Sequence, residues 1–304
     1  MTRNASATGS AIDHVLLTRF NLPSRGAESL IRAQDGWLRD RVALFERHTV
    51  PSVREQTVID VRWIVYLDPE SPTWLADRLR PHVENGTFVP LYRESVEWSD
   101  VVIDARQLTG ARGNVLVTTN LDNDDALAID FVERVQQQAR AGWHGAIYLG
   151  TGLIQYGDRV YLRQDPDNAF CSVAEPWAGA LTAWRDWHVL LGTHMPTTTI
   201  SGAPAWLQVV HGRNVSNRIR GRLTDPESYS ALFPAQMEGL TRPNQFALRA
   251  DRYLYGPGRA TRELASRLVK NTILALAGKG GIERLSASLA AFRRRARLVR
   301  RSSR

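Results

Sequence analysis

Residues 115–125 read Val-Leu-Val-Thr-Thr-Asn-Leu-Asp-Asn-Asp-Asp, and this stretch decides the fold. A short β-branched apolar run, typical of a buried strand, ends in three carboxylates within four positions, those of Asp122, Asp124 and Asp125. Apolar residues at helical spacing follow over residues 126–141. A buried strand that leads into a helix is typical of an open α/β sheet, in which ligands bind at the carboxyl ends of the strands.

The three carboxylates of this cluster admit two interpretations. Clustered carboxylates repel one another unless they share a cation, and a few hard oxygen ligands suit Mg²⁺ or Mn²⁺ that is also held by a phosphorylated substrate. Alternatively, one aspartate caps the following helix and the others are solvated on its first turn, where the helix dipole favours negative charge. The capping interpretation leaves a third carboxylate unexplained, so we favour a metal and phosphate site.

Other segments of the chain continue the alternation of strand and helix. The predicted strands are residues 14–20, 58–67, 87–91 and 115–120, and the predicted helices are residues 37–48, 73–83 and 126–141. Residues 145–162 predict a β-hairpin, and residues 163–225 are rich in loops and tryptophan. This order predicts an α/β fold with a mostly parallel, Rossmann-like sheet flanked by helices.

Composition restricts the class of protein. A hydrophobic content of 43% and a charged content of 23% are those of an ordinary globular chain. The single cysteine, Cys171, excludes an internal disulfide framework. Residues 1–11, which we expect to be disordered, lack the apolar core of a signal peptide, and no apolar run reaches the roughly 20 residues that span a bilayer. We therefore expect a cytoplasmic protein.

Positive charge is concentrated at the C-terminus. From Gly258 onwards there are thirteen basic and two acidic residues, a net charge of +11 against +8 for the whole chain. The remainder is mildly acidic, which argues against a nucleic-acid-binding domain. Four apolar residues share one helical face before the arginines that begin at Arg293: Ile282, Leu285, Leu289 and Phe292. This pattern predicts a peripheral anchor to anionic lipid or, alternatively, a helix docked on the domain; RNA binding is weaker because interleaved aromatic residues are absent.

Polar residues after other strands are further candidates for ligand contacts. Asp68 follows a buried strand and either accepts the imide N–H of a pyrimidine base or forms an Asx turn before a proline. Arg19 ends the first strand, where it suits a diphosphate or an ion pair with a cluster aspartate. An apolar strand delivers His211 into a polar loop, where its imidazole could complete a metal site, although a lone histidine is more often structural. Arg213 and Asn214 beside it suit phosphate oxygens.

Glu175 is the candidate general base. It emerges from a semi-apolar segment, and desolvation there would raise the pKa of its carboxyl group towards the range that proton transfer requires. The alternative is a solvated loop glutamate with no part in chemistry.

Six ordered motifs across about residues 14–220 resemble the bacterial putative rhamnosyltransferase family. The two most specific are Leu-Asp-Asn-Asp-Asp-Ala at 121–126 and His-Gly-Arg-Asn-Val-Ser at 211–216. The others are Leu-Thr-Arg-Phe-Asn at 17–21 and segments at 37–45, 51–57 and 63–68. One departure is that the arginine usual in the family before the acidic motif is Asn120 here.

The resemblance implies a GT-A type glycosyltransferase. Such a hexosyltransferase would use Mn²⁺ or Mg²⁺ to move a sugar, rhamnose by the family's name, from a nucleoside-diphosphate donor to a hydroxyl of a cell-envelope, capsular or lipid-linked glycan. By resemblance, Asp122, Asp124 and His211 would hold the metal, and Asp125 would support it or cap the helix. Glu175 and Asp125 are then the catalytic candidates, and the donor-binding candidates are Arg19, Asn21, Asp68, Asn120, Asp122, Arg213 and Asn214.

Composition, charge and the resemblance together divide the chain into three regions. Residues 1–11 precede a GT-A-like domain at 12–257, with a nucleotide-binding half at 12–142 and an acceptor half at 143–257, and residues 258–304 form a basic helical extension. Two other functions stay open: a nucleotide-sugar-binding protein without turnover, and a metal-dependent nucleotidyltransferase or hydrolase. Three aspartates with a histidine favour an enzyme, and the reaction products separate the two enzymatic alternatives.

Overall fold

The computed structural model describes residues 11–23, 36–211, 219–259 and 261, and twelve strands within them form two sheets. In chain order the strands of the larger sheet are β1 (Ile12–Arg19), β2 (Arg62–Leu67), β3 (Val89–Tyr92), β4 (Val115–Asn120), β6 (Gly145–Leu149), β9 (Ser172–Pro176) and β10 (Thr197–Ile200). Those of the smaller sheet are β5 (Ala126–Leu127), β7 (Thr151–Tyr156), β8 (Arg159–Gln164), β11 (Trp206–Val210) and β12 (Arg222–Thr224).

The larger sheet is mostly parallel, with the order β10-β6-β9-β4-β1-β2-β3. Strand β1 lies between β2 and β4 and runs parallel to both, and β3 is parallel to β2. Strand β9 runs antiparallel to its two neighbours, β4 and β6. The carboxyl ends of β1, β2 and β4 therefore meet at one edge of the sheet, which we call the carboxyl edge.

The smaller sheet has the order β12-β8-β7-β11-β5. Strands β7 and β8 form an antiparallel hairpin, and β11 pairs with β7 in parallel. The hairpin predicted at 145–162 thus starts too early, because residues 145–149 form β6 of the larger sheet. Strand β5 pairs antiparallel with β11, so the segment just after the acidic cluster joins the two sheets.

Helices cover both faces of the larger sheet and also pack against the smaller sheet. They are α1 (Trp37–Leu44), which continues through a π-helical turn at Phe45–Thr49 into α2 (Val50–Arg54), then α3 (Thr73–Glu84), α4 (Trp98–Thr109), α5 (Phe131–Arg140), α6 (Pro234–Met237) and α7 (Gln245–Ala250), which continues into a π-helical turn at Asp251–Tyr255. In β1, Leu16 joins the core that α3 and α5 cover, whereas Val15 and Leu17 join the core that α4 covers. This alternation of buried side chains explains why three consecutive residues of β1, at 15–17, are all apolar. The predicted α/β fold is confirmed.

The prediction of a helix from residue 126 is wrong at its start. The chain first forms β5 and a turn, and α5 begins at Phe131 with Asp130 in the capping position. Ala126 and Ala128 pack in the core of the smaller sheet, and Phe131 packs in that of the larger sheet. The apolar spacing in this segment thus reflects contacts with two different cores, and none of the three cluster aspartates caps the helix.

Helix α4 was not predicted. It begins with a capping box in which Glu97 and Asp100 each accept a hydrogen bond from the other's backbone N–H, and it ends at Gly110 in the left-handed conformation, with φ of 72°. These signals are present in the sequence, so α4 was predictable.

The two predicted halves of the domain share both sheets. Residues 143–257 supply β6, β9 and β10 to the larger sheet, and residues 12–142 supply β5 to the smaller one. The predicted regions 1–11 and 258–304 lie almost entirely outside the described residues. No helix among the residues that the structure describes is long and apolar enough to cross a membrane.

Candidate functional site

The acidic cluster lies at the carboxyl edge, immediately after β4. Asp122 keeps an exposed side chain, whereas Asp124 and Asp125 are 5% and 1% exposed. A hydrogen bond from Thr18 Oγ1 to the carbonyl of Leu121 at 2.7 Å fixes the start of the loop against β1. The cluster therefore presents one accessible carboxylate above two buried ones.

Asp124 is held by two cationic or protonatable partners. Arg41 Nη1 donates to its Oδ2 at 2.5 Å, and Nε2 of His211 lies 3.0 Å from the same oxygen. Burial opposes ionisation of this carboxyl, but the hydrogen bond to His211 and the charge of Arg41 outweigh it and keep the pKa of Asp124 below its usual value. The predicted pairing of Asp124 with His211 is thus present in the structure, and Arg41 is an addition.

Asn123 ties the acidic loop to the first strand and to the first helix. Its Nδ2 donates to the carbonyl of Phe20 at 2.5 Å, and its Oδ1 accepts from Arg41 Nη1 at 3.1 Å. Arg41 consequently bridges two consecutive residues of the loop. It was not singled out from sequence, because nothing local connects it to residues more than 80 positions later.

Asp125 connects the cluster to the smaller sheet. The backbone N–H of Val209, on β11, donates to its Oδ1 at 2.8 Å. Its Oδ2 is buried without a hydrogen-bond partner among the described residues. Burial, together with the charges of Asp124 and Asp122, raises the pKa of Asp125 well above its usual range. Because β11 ends one residue before His211, Asp125 sets the position of that histidine and makes no open contact of its own.

Asp122 is the acidic residue most open to a ligand. Its Oδ1 lies 3.4 Å from Asn120 Nδ2, a weak hydrogen bond. Desolvation by the surrounding protein, and then the charge of Asp124, raise the pKa of Asp122 to about 6. They do so even though the residue keeps exposed surface.

Trp184 organises the neighbouring part of the edge. Its Nε1 donates to Asn120 Oδ1 at 2.8 Å, and the guanidinium carbon of Arg19 lies 4.2 Å from its ring centroid. Asn120 Nδ2 also donates to the carbonyl of Ala169 at 2.9 Å. The tryptophan holds the guanidinium of Arg19 over its ring by a cation–π contact. The sequence shows that Trp184 lies in the tryptophan-rich segment, but it does not show that Trp184 contacts the carboxyl edge.

Asp68 and Asn21 lie together after β2 and β1. The backbone N–H of Asp68 donates to Asn21 Oδ1 at 3.1 Å, and Asn21 Nδ2 donates to Ser71 Oγ at 2.9 Å. The backbone N–H of Glu70 donates to Asp68 Oδ1 at 2.8 Å, which is the Asx turn considered from the sequence. The turn uses one carboxylate oxygen of Asp68, so it does not conflict with a role in ligand binding.

The structure does not bring Glu175 to the acidic cluster. In the antiparallel pairing of β9 with β4, Glu175 lies opposite Leu116. Leu116 is four residues before the end of β4, or about 13 Å along the strand, and the cluster begins beyond that end. Glu175 lies near the amino end of β4, so the geometry does not support it as a base at this site. Burial raises the pKa of Glu175, as expected from the sequence.

Two predicted donor contacts, Arg213 and Asn214, lie outside the described residues. Among the described ones, no three histidine, cysteine, aspartate or glutamate side chains surround a single point that could hold a metal ion. At the acidic cluster, Asp124 and His211 form a pair, Asp122 lies two residues from Asp124 in the sequence, and Arg41 shares the Asp124 oxygen. An exposed carboxylate and an imidazole are suitable donors for a divalent cation whose other ligands come from a diphosphate.

Comparisons with known proteins place these features in context. A family profile described as putative rhamnosyl transferase matches residues 13–223. No curated protein matches the chain. Among solved structures, Staphylococcus aureus TarS 1–349 in complex with UDP-GlcNAc is similar at 9% identity and a TM-score of 0.42, over 72% of this chain and 63% of that one. This chain thus spans less than two thirds of that relative. The mannosyltransferase PcManGT from Pyrobaculum calidifontis, in complex with GDP-Man and Mn²⁺, is similar at 12% identity and a TM-score of 0.43, over 93% and 87% of the two chains.

Proposed function

This chain belongs to the putative rhamnosyl transferase family of glycosyltransferases, and we propose that it moves a sugar from a nucleoside-diphosphate donor to a hydroxyl group of a glycan. The observation that carries the proposal is the convergence of Arg19, Asp68 and the acidic cluster at the ends of three neighbouring parallel strands. A donor of this kind has a base, a diphosphate and a sugar. The carboxyl edge offers an acceptor for the base after β2, a cation for the diphosphate at the end of β1 and carboxylates after β4.

Arg19 and Asp68 bind opposite parts of the proposed donor. Arg19, which stacks on Trp184, presents a guanidinium suited to bidentate contacts with diphosphate oxygens. Arg213 and Asn214 would contribute further phosphate contacts. One carboxylate oxygen of Asp68 closes the Asx turn, and the second accepts the imide N–H of a pyrimidine base.

Asp122, Asp124 and His211 are the proposed ligands of Mn²⁺ or Mg²⁺. Such an ion, when bound, neutralises charge that develops on the departing nucleoside diphosphate. Arg41 keeps Asp124 ionised and oriented towards His211. Asp125 is a positioning residue, because its hydrogen bond with the backbone of Val209 holds β11, the strand that ends just before His211. Glu175 is not part of this proposal.

The proposed acceptor is a cell-envelope or capsular glycan, and rhamnose is the donor sugar suggested by the family. Residues 143–257 would supply most of the acceptor contacts. The basic extension at 258–304 would hold the protein at the inner face of the plasma membrane, where lipid-linked acceptors are found. These assignments rest on the sequence pattern, because the extension lies almost wholly outside the described residues.

Thermal unfolding with a panel of nucleoside diphosphates and nucleotide sugars, with and without Mn²⁺, tests the donor site. At a hundred times its dissociation constant, a ligand adds about 2.7 kcal/mol to the free energy of unfolding. We expect stabilisation by one nucleotide that increases with Mn²⁺ in the wild type. Asp122→Asn should abolish the Mn²⁺-dependent part, because the exposed carboxylate is lost while the buried pair remains.

Asp77→Asn is the matched control, since Asp77 is an exposed aspartate on α3. It should leave the nucleotide effect unchanged. Equal responses of the two variants, or no stabilisation by any nucleotide, would refute the donor site. Once a stabilising nucleotide sugar is known, its reaction products distinguish the enzymatic alternatives. Release of nucleoside diphosphate supports a transferase, whereas release of pyrophosphate or monophosphate indicates a nucleotidyltransferase or hydrolase.

A further inference from the structure

Exposed apolar side chains are concentrated on the segment formed by α7 and the π-helical turn after it. Phe246, Tyr253, Leu254 and Tyr255 are exposed by 80%, 68%, 71% and 64%. We call these four residues the C-terminal apolar patch. Seven other large apolar side chains are exposed among the described residues, and they are distributed over positions 59–189. Four within ten residues is a concentration that marks a binding surface.

The segment that carries the patch is firmly attached to the domain. Ala247 and Leu248 pack against the core cluster that contains Tyr161, Val210 and Leu223. Asp251 accepts from the backbone N–H of Leu223 at 2.8 Å and forms an ion pair with Arg259 at 2.6 Å. The inner face of the helix is therefore fixed by apolar and polar contacts, so the apolar side chains on its outer face are held in the solvent.

The exposed charged side chains of the segment that carries the patch are all positive. Arg249 and Arg252 are exposed on the same segment, and the guanidinium of Arg252 lies 5.6 Å from the ring centroid of Tyr253. Asp251 is the only acidic residue between positions 239 and 262 of the sequence, and it is 4% exposed and paired with Arg259. The outward surface thus combines aromatic and aliphatic side chains with uncompensated arginine.

We propose that the C-terminal apolar patch binds the headgroup region of an anionic membrane surface. Tyrosine and phenylalanine are amphipathic or apolar rings of the kind that insert between headgroups, and arginine is attracted to anionic lipid. The patch is also continuous in sequence with the strongly basic residues 262–304. A second copy of the chain is a poor occupant, because a two-fold interface would set the arginines of the two copies against each other.

The patch is a membrane contact on the folded domain that is separate from the basic extension. The extension combines a net positive charge with four apolar residues at 282–292, whereas the patch contributes apolar side chains at a fixed place on the domain. The membrane contact is independent of the donor site. Nucleotide stabilisation measured without vesicles and vesicle binding measured without nucleotide therefore succeed or fail separately.

Flotation of the full chain with vesicles tests the proposal. The vesicles are phosphatidylcholine alone, or phosphatidylcholine with about a third phosphatidylglycerol. We expect Phe246→Ser/Leu254→Ser to weaken binding to the anionic vesicles at least tenfold. The matched control is Ile59→Ser/Ile103→Ser, which removes two side chains that are 95% and 56% exposed elsewhere. The control should change binding less than twofold.

Arg249→Gln/Arg252→Gln provides a second variant that preserves every apolar side chain. It should weaken binding to anionic vesicles and reduce the dependence of binding on salt. Circular dichroism checks that each variant is folded. If Phe246→Ser/Leu254→Ser is not folded, the single substitution Phe246→Ser replaces it. Vesicle binding that is equal in the patch and control variants would overturn the proposal. So would sedimentation velocity that shows the patch variant losing self-association while it keeps vesicle binding.

Discussion

At the scale of single residues, Arg41 changes the interpretation of the acidic site. It reaches Asp124 from the first helix, and the side chains of the pair are 12% and 7% exposed. Removing one partner of a nearly buried ion pair leaves the other charge without compensation in a poorly hydrated place. Breaking the Arg41–Asp124 pair therefore lowers the free energy of unfolding more than breaking an ion pair at the surface does.

We expect Arg41→Ala to lower the free energy of unfolding by about 3 kcal/mol, because the Asp124 carboxylate loses its closest cation. Adding Asp124→Asn to Arg41→Ala should recover part of that loss, since the buried charge is then absent. Urea unfolding of the two single variants and the double variant measures the coupling. Simple additivity would contradict the buried pair. Arg78→Ala, which breaks an ion pair of an exposed arginine with Glu46, is the control and should have a much smaller effect.

The residues of the site were predictable only where a local rule applies. Asp68, Asp122 and Asp124 were placed correctly at the carboxyl edge because they follow buried strands, and the ends of parallel strands meet. Arg41 and Trp184 reach the site through contacts that no local pattern encodes. Glu175 was misplaced because its position depends on the antiparallel register of β9, which the spacing of apolar residues does not determine.

At the scale of elements, the pairing of β7 with β11 depends on one glycine. A Cβ atom added at Gly152 would meet atoms of the Trp206 ring at closer than van der Waals distance. Trp206 is 1% exposed, donates from Nε1 to the carbonyl of Leu149 at 2.8 Å and stacks on Phe170 at 5.0 Å between ring centroids. The ring therefore has no room to move aside.

Gly152→Ala should consequently lower the free energy of unfolding by at least about 2 kcal/mol, the size typical of overpacking in a rigid core. Chemical denaturation at constant pH measures the loss. Gly258→Ala is the matched control, because an added Cβ there meets no atom within 4 Å. If the two alanine variants were equally stable, the fixed packing of Trp206 would be disproved.

The sequence predicts an element correctly where its apolar residues form one continuous run or follow one period. Strands β1, β2 and β4 were recognised because each contains a short continuous apolar run, at 15–17, 63–67 and 115–117. The segment 126–130 was assigned to a helix because apolar residues at helical spacing begin there, but Ala126 and Ala128 pack in the core of the smaller sheet and Leu127 packs in that of the larger sheet. Periodicity alone does not distinguish a helix from a short strand and turn whose apolar residues pack in two different cores.

At the scale of the whole molecule, two buried histidines link stability to pH. Burial, and then the charge of Arg140, lower the pKa of His14 to about 3. Burial, and then the charge of Arg47, lower the pKa of His48 to about 4. In the unfolded chain both titrate near 6.5, so between these values the unfolded state binds more protons than the folded state. The contribution of the two neutral histidines to the free energy of unfolding is therefore fully present above pH 6.5 and is lost as the pH decreases below that value.

Each of these histidines should reduce the free energy of unfolding by about 2 kcal/mol between pH 7.5 and pH 5. Urea unfolding at the two pH values gives the total change. His14→Gln should lower the difference between the two pH values by the contribution of one histidine, whatever its effect on stability at pH 7.5. A difference that is the same in wild type and variant would show that His14 is protonated in the folded protein.

Strand β9 has a consequence for how the chain is synthesised. It occupies the position between β4 and β6, so one side of β4 has no partner until residue 176 is available. At about 5–20 residues per second, translation from the end of β4 to the end of β9 takes roughly 3–11 s. During that interval the nascent chain carries an unpaired, apolar strand edge, which is a template for pairing with other chains. A fragment that stops at residue 142 would retain that edge permanently, and it should aggregate instead of folding as an independent unit.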